Sequence, residues 1–192
     1  MSMPSQSHHR EQVRQKIIHS ALQLFNRHGF DAASIDDIMA GAGMTRGGFY
    51  SYFQSKSELY AEAISCFVGG KLEGIAAVDK ASDRAARILR DYLSGQHYDE
   101  VETSCPLIGL PNDISRRDQS VREAQESALR MMIETFERGV TATAQPARQR
   151  ALALTSLCIG GMALARAIED RSLADELREA TMAVALTLGH WT

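Results

Sequence analysis

Only 3 cysteines and 4 prolines occur among 192 residues. Cys66, Cys105 and Cys158 lie far apart and make neither a CxxC pair nor a secreted disulfide framework, so reduced thiols are expected. With so little proline and a hydrophobic content of 44%, the chain falls among ordinary globular sequences rather than disordered or fibrous ones. No long apolar run is present. The least polar stretch, Arg150 to Arg166, is shorter than the roughly 20 residues a membrane span needs, and Thr155, Ser156, Gly160 and Gly161 interrupt it. The first residues, Met1 to His9, lack the basic-then-apolar order of a signal peptide, so a cytoplasmic protein is expected. The six histidines form no metal-like spacing with acids or cysteines, and there is neither a phosphate loop nor a nucleophile motif. An enzyme, a metal site or a bound cofactor therefore finds no support.

The formal charge of -3 speaks against a nucleic-acid partner until its distribution is considered. Residues 1–56 hold six Lys or Arg against four acids, whereas the remainder holds fifteen against twenty. The N-terminal part is thus the more basic, a modest asymmetry that permits DNA binding there.

Residues 1–9 are polar and aperiodic and read as a disordered arm. Thereafter the pattern is helical, with no strand-like alternation. Val13, Ile17, Ala21, Leu24 and Phe25 share one face of a first helix that Gly29 should stop. Ser34, with Asp37 three residues later, caps a short second helix from Ile35 to about Ala42, which Gly43 breaks. Thr45 is placed to cap a third short helix carrying Arg46 to Tyr50, and Ser55-Lys56-Ser57-Glu58 is a capping box for a fourth. Longer helices are expected at about 56–78, 83–96, 119–143, 146–170 and 173–189, the last opened by Ser172 and Asp175, with a short irregular helix over 103–115.

A helix, a glycine turn and a second short helix within Ser34 to Lys56 make a helix-turn-helix, whose second helix enters the DNA major groove. Gly47 and Gly48 each cost about 1 kcal/mol relative to Ala in a helix. Their use fits either a close approach to a groove or a simple loop. Tyr50, Tyr52 and Lys56 offer hydroxyl and ammonium groups of the kind that contact phosphates. Phe49 and Phe53 suit a small core with Leu24, Phe25 and Ile38.

The run FNRHGFDAASIDDIMAGAGMTRGGFYSYFQSKSELYAEAI resembles the N-terminal signature of the TetR/AcrR family of bacterial regulators. Over about residues 10–65, Phe25, Gly29, Phe30, Ser34, Ile35, Ile38, Ala42, Gly43, Gly48, Tyr50, Phe53, Lys56 and Leu59 sit where that signature expects them. The resemblance implies an all-α protein with a helix-turn-helix head over 10–55 and a helical sensing and dimerisation domain over 56–192. It further implies a homodimer, a repressor released from double-stranded operator DNA by a small-molecule effector. Carried across by position, Ser34 and Ile35 open the bracing helix, Thr45, Arg46, Gly47 and Gly48 face bases, and Tyr50, Tyr52 and Lys56 hold phosphates. Relatives with a larger side chain in place of Gly48 differ from this chain, so base readout here is expected to rest on Arg46.

In the C-terminal part, Leu173, Leu177, Thr181, Val184 and Leu188 form one stripe. Gly160, Gly161, Ala163 and Ala167 are small enough for close helix contact. A dimer interface accounts for both, and an intramolecular core for one of them. Met131, Met132, Phe136, Leu157 and Met162 fit an effector cavity, or plain core. Cys105, followed by Pro106-Leu107, reads as a helix-start thiol open to electrophiles, although Asp99, Glu100 and Glu102 oppose its ionisation and an inert buried cysteine is the alternative. The CPL segment resembles that of family members that sense electrophiles through cysteine. A helical ligand-binding or redox protein without DNA affinity is the competing class, and salt-sensitive binding to a palindromic duplex separates the two.

Overall fold

Capping side chains and glycines divide the N-terminal third into short helices, and long amphipathic segments build the rest. The computed structural model describes residues 6–75, 80–108 and 118–191, and every regular element among them is a helix. Helix α1 (Gln6–Ala32) begins earlier than the pattern predicts. Residues 6–9 are helical rather than a disordered arm, because side-chain pairs one turn apart, His8 with Gln12 and Glu11 with Gln15, support a stretch that has no apolar face. Gly29 does interrupt α1. Its φ of 78° is in the left-handed region, and a single further turn reaches Ala32.

Helix α2 (Ile35–Gly41) is capped as expected, with the Ser34 hydroxyl accepting from the Asp37 amide at 3.1 Å. Gly43, at φ 73°, reverses the chain after it. Residues Arg46–Ser51 then form a 3-10 helix, not an α-helix, closed by i to i+3 bonds such as Gly48 N to Thr45 O at 3.0 Å. The Thr45 side chain makes no capping hydrogen bond, contrary to expectation. Two adjacent glycines in six residues leave too little helix propensity for a regular turn. At helix α3 (Lys56–Ile75), the Ser55 hydroxyl accepts from the Glu58 amide at 3.0 Å and the Glu58 carboxylate reaches back to the Gln54 amide.

The remaining helices are α4 (Ala81–Tyr92), α5 (Gly95–Asp99), α6 (Gln119–Gly139), α7 (Ala147–Arg166) and α8 (Arg171–Gly189). The helix expected at 83–96 ends at Tyr92, because Ser94 caps a new turn by accepting from the His97 amide at 3.0 Å. Helix α8 is capped by Asp170, which accepts from Ser172 and Leu173 amides, instead of by Ser172. Asp175 is taken up by Arg171 and Arg178. Residues 101–108 form turns, and the rest of the expected 103–115 helix, with Pro111, lies outside the described residues. None of the described helices is long and apolar enough to cross a membrane.

Helix α3 packs on α1 on one side and on α6 on the other, while α7 and α8 form a close pair leaning on α6 and α4. Ile17, Ala21, Phe25, Ile38, Met39, Phe49 and Phe53 fill the small N-terminal core. Phe25, Phe30 and Tyr60 continue it into α3, with ring centroids 4.6 to 5.6 Å apart. At the far end Arg150, only 1% exposed, donates to the Leu188 carbonyl at 2.6 and 2.9 Å and to the Thr141 carbonyl. The Trp191 indole donates to the Gly139 carbonyl at 3.0 Å.

Gly139 is where α6 meets α4 most closely. A Cβ there would lie 2.2 Å from Ala85 Cβ and 2.8 Å from the Ala81 carbonyl oxygen. Gly139→Ala should therefore lower stability by about 1 to 3 kcal/mol, read as a reduced midpoint in urea denaturation; an unchanged midpoint would show that the two helices part without strain.

Candidate functional site

The 3-10 helix and the start of α2 present one outward surface. Arg46, Gly47 and Tyr50 are exposed, Tyr50 at 68%, while Phe49 beneath them is fully buried and meets the Tyr50 ring edge-on at 5.2 Å. Arg46 Nη1 donates to Asp36 Oδ2 at 2.9 Å, an ion pair from the 3-10 helix to the first turn of α2. Asp36 was not among the residues singled out by sequence pattern, since a pairing ten residues away across a turn leaves no periodic mark. Thr45 is exposed and Ser34 and Ile35 are half-buried at the α2 start. Gly47 has nothing within 4 Å of a built Cβ, and Gly48 would make only ordinary contact with Met39, at 3.6 Å. The fold itself thus requires neither glycine.

Tyr52 and Lys56 flank this surface. Arg10 of α1 lies over the Tyr52 ring at 5.9 Å and donates to the Ser51 carbonyl at 2.9 Å, adding a cation that the sequence reading had not placed there. Lys56 Nζ sits over the Phe30 ring at 4.6 Å and reaches the Asp31 carbonyl at 3.3 Å. Behind the surface Arg14 forms a two-pronged pair with Glu62 and lies over Phe53, so α1 and α3 are clamped together; the Glu62 carboxylate raises the Arg14 pKa above its ordinary value.

A second feature lies in the helical body. Phe67, Val68, Ile88, Tyr92, His97, Cys105, Leu107, Ala128, Met131, Met132 and Thr135 surround a cavity of about 140 Å³, with Asp91 at its edge. Cys105, Met131 and Met132, named from the sequence, line it. Phe136 and Met162 do not: both are fully buried core, Phe136 against Trp191 at 6.0 Å, and Leu157 is likewise absent from the wall. Core and cavity positions share one helical period, so the pattern could not separate them. Cys105 opens a turn, with the Ile108 amide donating to its carbonyl at 3.1 Å, and it is buried at 8% exposure.

The segment holding Cys105 is tied to its surroundings on two sides. Asn26 of α1 donates to the Glu102 and Ser104 carbonyls at 3.1 and 2.8 Å, and Arg166 of α7 donates to the Ser104 hydroxyl at 2.9 Å and to the His97 carbonyl. Burial, opposed by nearby Tyr92 and Cys105, lowers the Arg166 pKa.

A third feature is apolar and exposed. Leu152 and Leu164 of α7 and Leu173 and Val184 of α8 face outward at 45% to 59% exposure. Of the small residues proposed for close contact, Ala167 is exposed and Gly160 has open space above it. Gly161 instead packs inside the protomer, where a Cβ would meet Thr181 at 2.7 Å. Ala163 and Leu188 are partly buried against the core, and Leu177 is half-buried.

A three-helix head whose short exposed helix follows a glycine turn, set on a larger helical body, defines a helix-turn-helix regulator. Residues 17–63 match the family model described as bacterial regulatory proteins, tetR family. Among known proteins the chain is similar to the HTH-type transcriptional regulator YfiR of Bacillus subtilis, 25% identical over 143 residues, spanning 72% of this chain and 68% of that protein. It is also similar to the regulator AcrR of Shigella flexneri, 40% identical over 52 residues, which cover 27% of this chain and 24% of AcrR. In fold it resembles the reduced form of Escherichia coli NemR, with a TM-score of 0.76 at 18% identity over 92% of this chain and 96% of that one. The N-terminal residues 17–63 are thus a TetR-family DNA-binding domain, and the chain as a whole shares the fold of TetR-family transcriptional regulators.

The thiols give a pH prediction. Burial, reinforced by Cys105, pushes Cys158 from 9.0 up to about 12, and burial with Glu62 raises Cys66. Groups with raised folded values contribute stability that is complete below the unfolded pKa and is lost as pH climbs toward the folded one. Unfolding free energy should accordingly fall between pH 9 and about 12, and Cys158→Ala should make that fall shallower; an identical slope in the variant would refute the assignment.

Proposed function

We propose that this regulator is a homodimeric repressor whose 3-10 helix enters the major groove of a palindromic operator, and whose cavity receives the signal that releases it. The observation that carries the DNA reading is the pair Gly47-Gly48, which the fold does not require and which leaves a bare backbone surface beside Arg46 for close approach to base edges. Residues 10–55 act as the head and 56–192 as the body, with α3 as the element between them.

In this reading Ser34 and Ile35 brace the backbone and Thr45, Arg46, Gly47 and Gly48 face bases, whereas Tyr50, Tyr52 and Lys56 hold phosphates. Asp36 supports Arg46 until a guanine edge takes its place as hydrogen-bonding partner. Arg46→Ala should reduce specific affinity by roughly 1 to 3 kcal/mol and relax preference at one position in each half-site. Lys56→Ala should weaken all sequences alike and lower the salt slope by about 1. Equal losses on operator and random duplex for both variants would overturn this division of roles.

A second copy is the occupant proposed for the exposed face of α7 and α8, since Leu152, Leu164, Leu173 and Val184 otherwise stand in water. Gly160, Ala167 and Leu177 lie on these same two helices. The two heads would then span half-sites about 34 to 36 Å apart, or a multiple of that. Val184→Arg should sediment as a monomer at micromolar concentration and lose operator affinity; a wild-type monomer that binds its operator tightly would end the proposal.

Release is read as a shift between two states, requiring about 1.4 kcal/mol of preference for the non-binding state per tenfold loss of affinity. A ligand in the cavity, or an electrophile added to Cys105, would displace the 102–105 segment that Asn26 joins to α1. Treating wild type and Cys105→Ser with N-ethylmaleimide distinguishes these signals. Release from wild type alone assigns the response to the thiol, and equal release, or none from either, removes Cys105 as the sensor.

A further inference from the structure

The surface that carries Arg46 also carries a carboxylate, a group out of place on a face that meets a polyanion. Asp36 stands 55% exposed with Oδ2 at 2.9 Å from Arg46 Nη1, and the Arg46 side chain is 69% exposed. The fold does not account for this acid. An ion pair so open to water contributes little to stability, and the cap of α2 is made by its neighbours. The Ser34 hydroxyl accepts from the Asp37 amide at 3.1 Å and donates to Asp37 Oδ2 at 2.6 Å. Asp37 also supplies the negative charge that favours a helix start.

The chemistry of base edges gives Asp36 a use. In the major groove guanine offers two acceptors, N7 and O6, which a guanidinium takes together. Once Arg46 is so engaged, the Asp36 carboxylate loses the cation at its side and needs a donor. The donors on base edges there are the amino groups of cytosine and adenine, whereas guanine and thymine present acceptors that repel a carboxylate. Adenine carries N7 next to its amino group, and that lone pair opposes the second carboxylate oxygen. Cytosine presents its N4 amino group with no acceptor beside it, so it is the base that an aspartate selects. The 2.9 Å between the two side chains is close to the spacing of successive base pairs, roughly 3.4 Å, which suits neighbouring pairs. Gly47, with open space where a side chain would stand, leaves the approach clear.

We infer that Asp36 is a specificity-determining residue, accepting a hydrogen bond from the N4 amino group of a cytosine in the base pair that adjoins the guanine read by Arg46. This rests on the reading of the head in which Arg46 meets guanine. It adds the identity of a second base in each half-site, and it makes the ion pair of the free protein a closed form that opens into two base contacts.

The test exposes the full-length wild type and its Asp36→Ala, Asp36→Asn and Arg46→Ala variants to a duplex library randomised over about 20 base pairs, two turns of DNA, and reads the selected sequences. Wild type should select a guanine in each half-site, with cytosine in the adjoining pair about tenfold over the other bases. Asp36→Ala should keep the guanine, which shows that the variant is folded, and bring the adjoining bases within about twofold of one another. Asp36→Asn should move the adjoining position to adenine, whose N6 and N7 an amide pairs with together. Arg46→Ala should lose the guanine. A role limited to steering Arg46 gives the reverse for Asp36→Ala, a blurred guanine beside an unaltered neighbour; that pattern, or a cytosine preference that survives in either Asp36 variant, overturns the inference. An Arg46-dependent guanine with no Asp36-dependent base beside it overturns the inference and leaves the DNA reading of the head in place, whereas a wild type that selects no sequence from the library removes both.

Discussion

The contact on which the functional architecture depends is the hydrogen bonding of Asn26 to the carbonyls of Glu102 and Ser104. Asn26 belongs to α1, the helix whose buried face packs on α2 and α3, and Ser104 is the immediate neighbour of the cavity residue Cys105. The same Ser104 is held by Arg166 from α7, one of the two helices with an exposed apolar face. Three features that are distant in sequence thus meet at one short segment. Backbone carbonyls in a turn have few other partners, so movement of that segment must be answered by α1 or leave polar groups unpaired.

Such an arrangement ties the cavity wall to α1 by direct hydrogen bonds, in contrast to mere proximity. The head is clamped to α3 by the Arg14 and Glu62 pair and by the Phe25, Phe30 and Tyr60 rings, so α1 cannot tilt without carrying its partner helix along. Packed aromatic clusters resist small deformations and favour discrete alternatives. The exposed Arg46 and Asp36 pair, by comparison, is solvent-screened and contributes little to stability; its consequence is orientation of the guanidinium.

What was legible in the sequence was local. The Ser34 cap, the Gly43 turn and the Ser55 box each depend on residues within four positions of one another, and the structure contains all of them. The 3-10 geometry after Thr45 escaped, because the cost of the two glycines was set against a close approach to DNA or a loop and not against a change of helix type. Phe136 and Met162 were read as cavity candidates on a spacing that core residues share. Asp36, Asn26 and Arg10 have partners that no periodicity encodes.

Gly29 has an effect beyond ending a helix. Its left-handed backbone turns the chain so that the next two residues lie under the start of α3, the Phe30 ring below the Lys56 ammonium and the Asp31 carbonyl beside it. Nothing crowds a Cβ at Gly29, so a replacement there meets no clash and is opposed by dihedral preference alone. A side chain of the opposite chirality would fit where the natural enantiomers do not. The position thereby acts as a hidden determinant of where a positive charge is displayed, although its own atoms carry none and it touches no ligand.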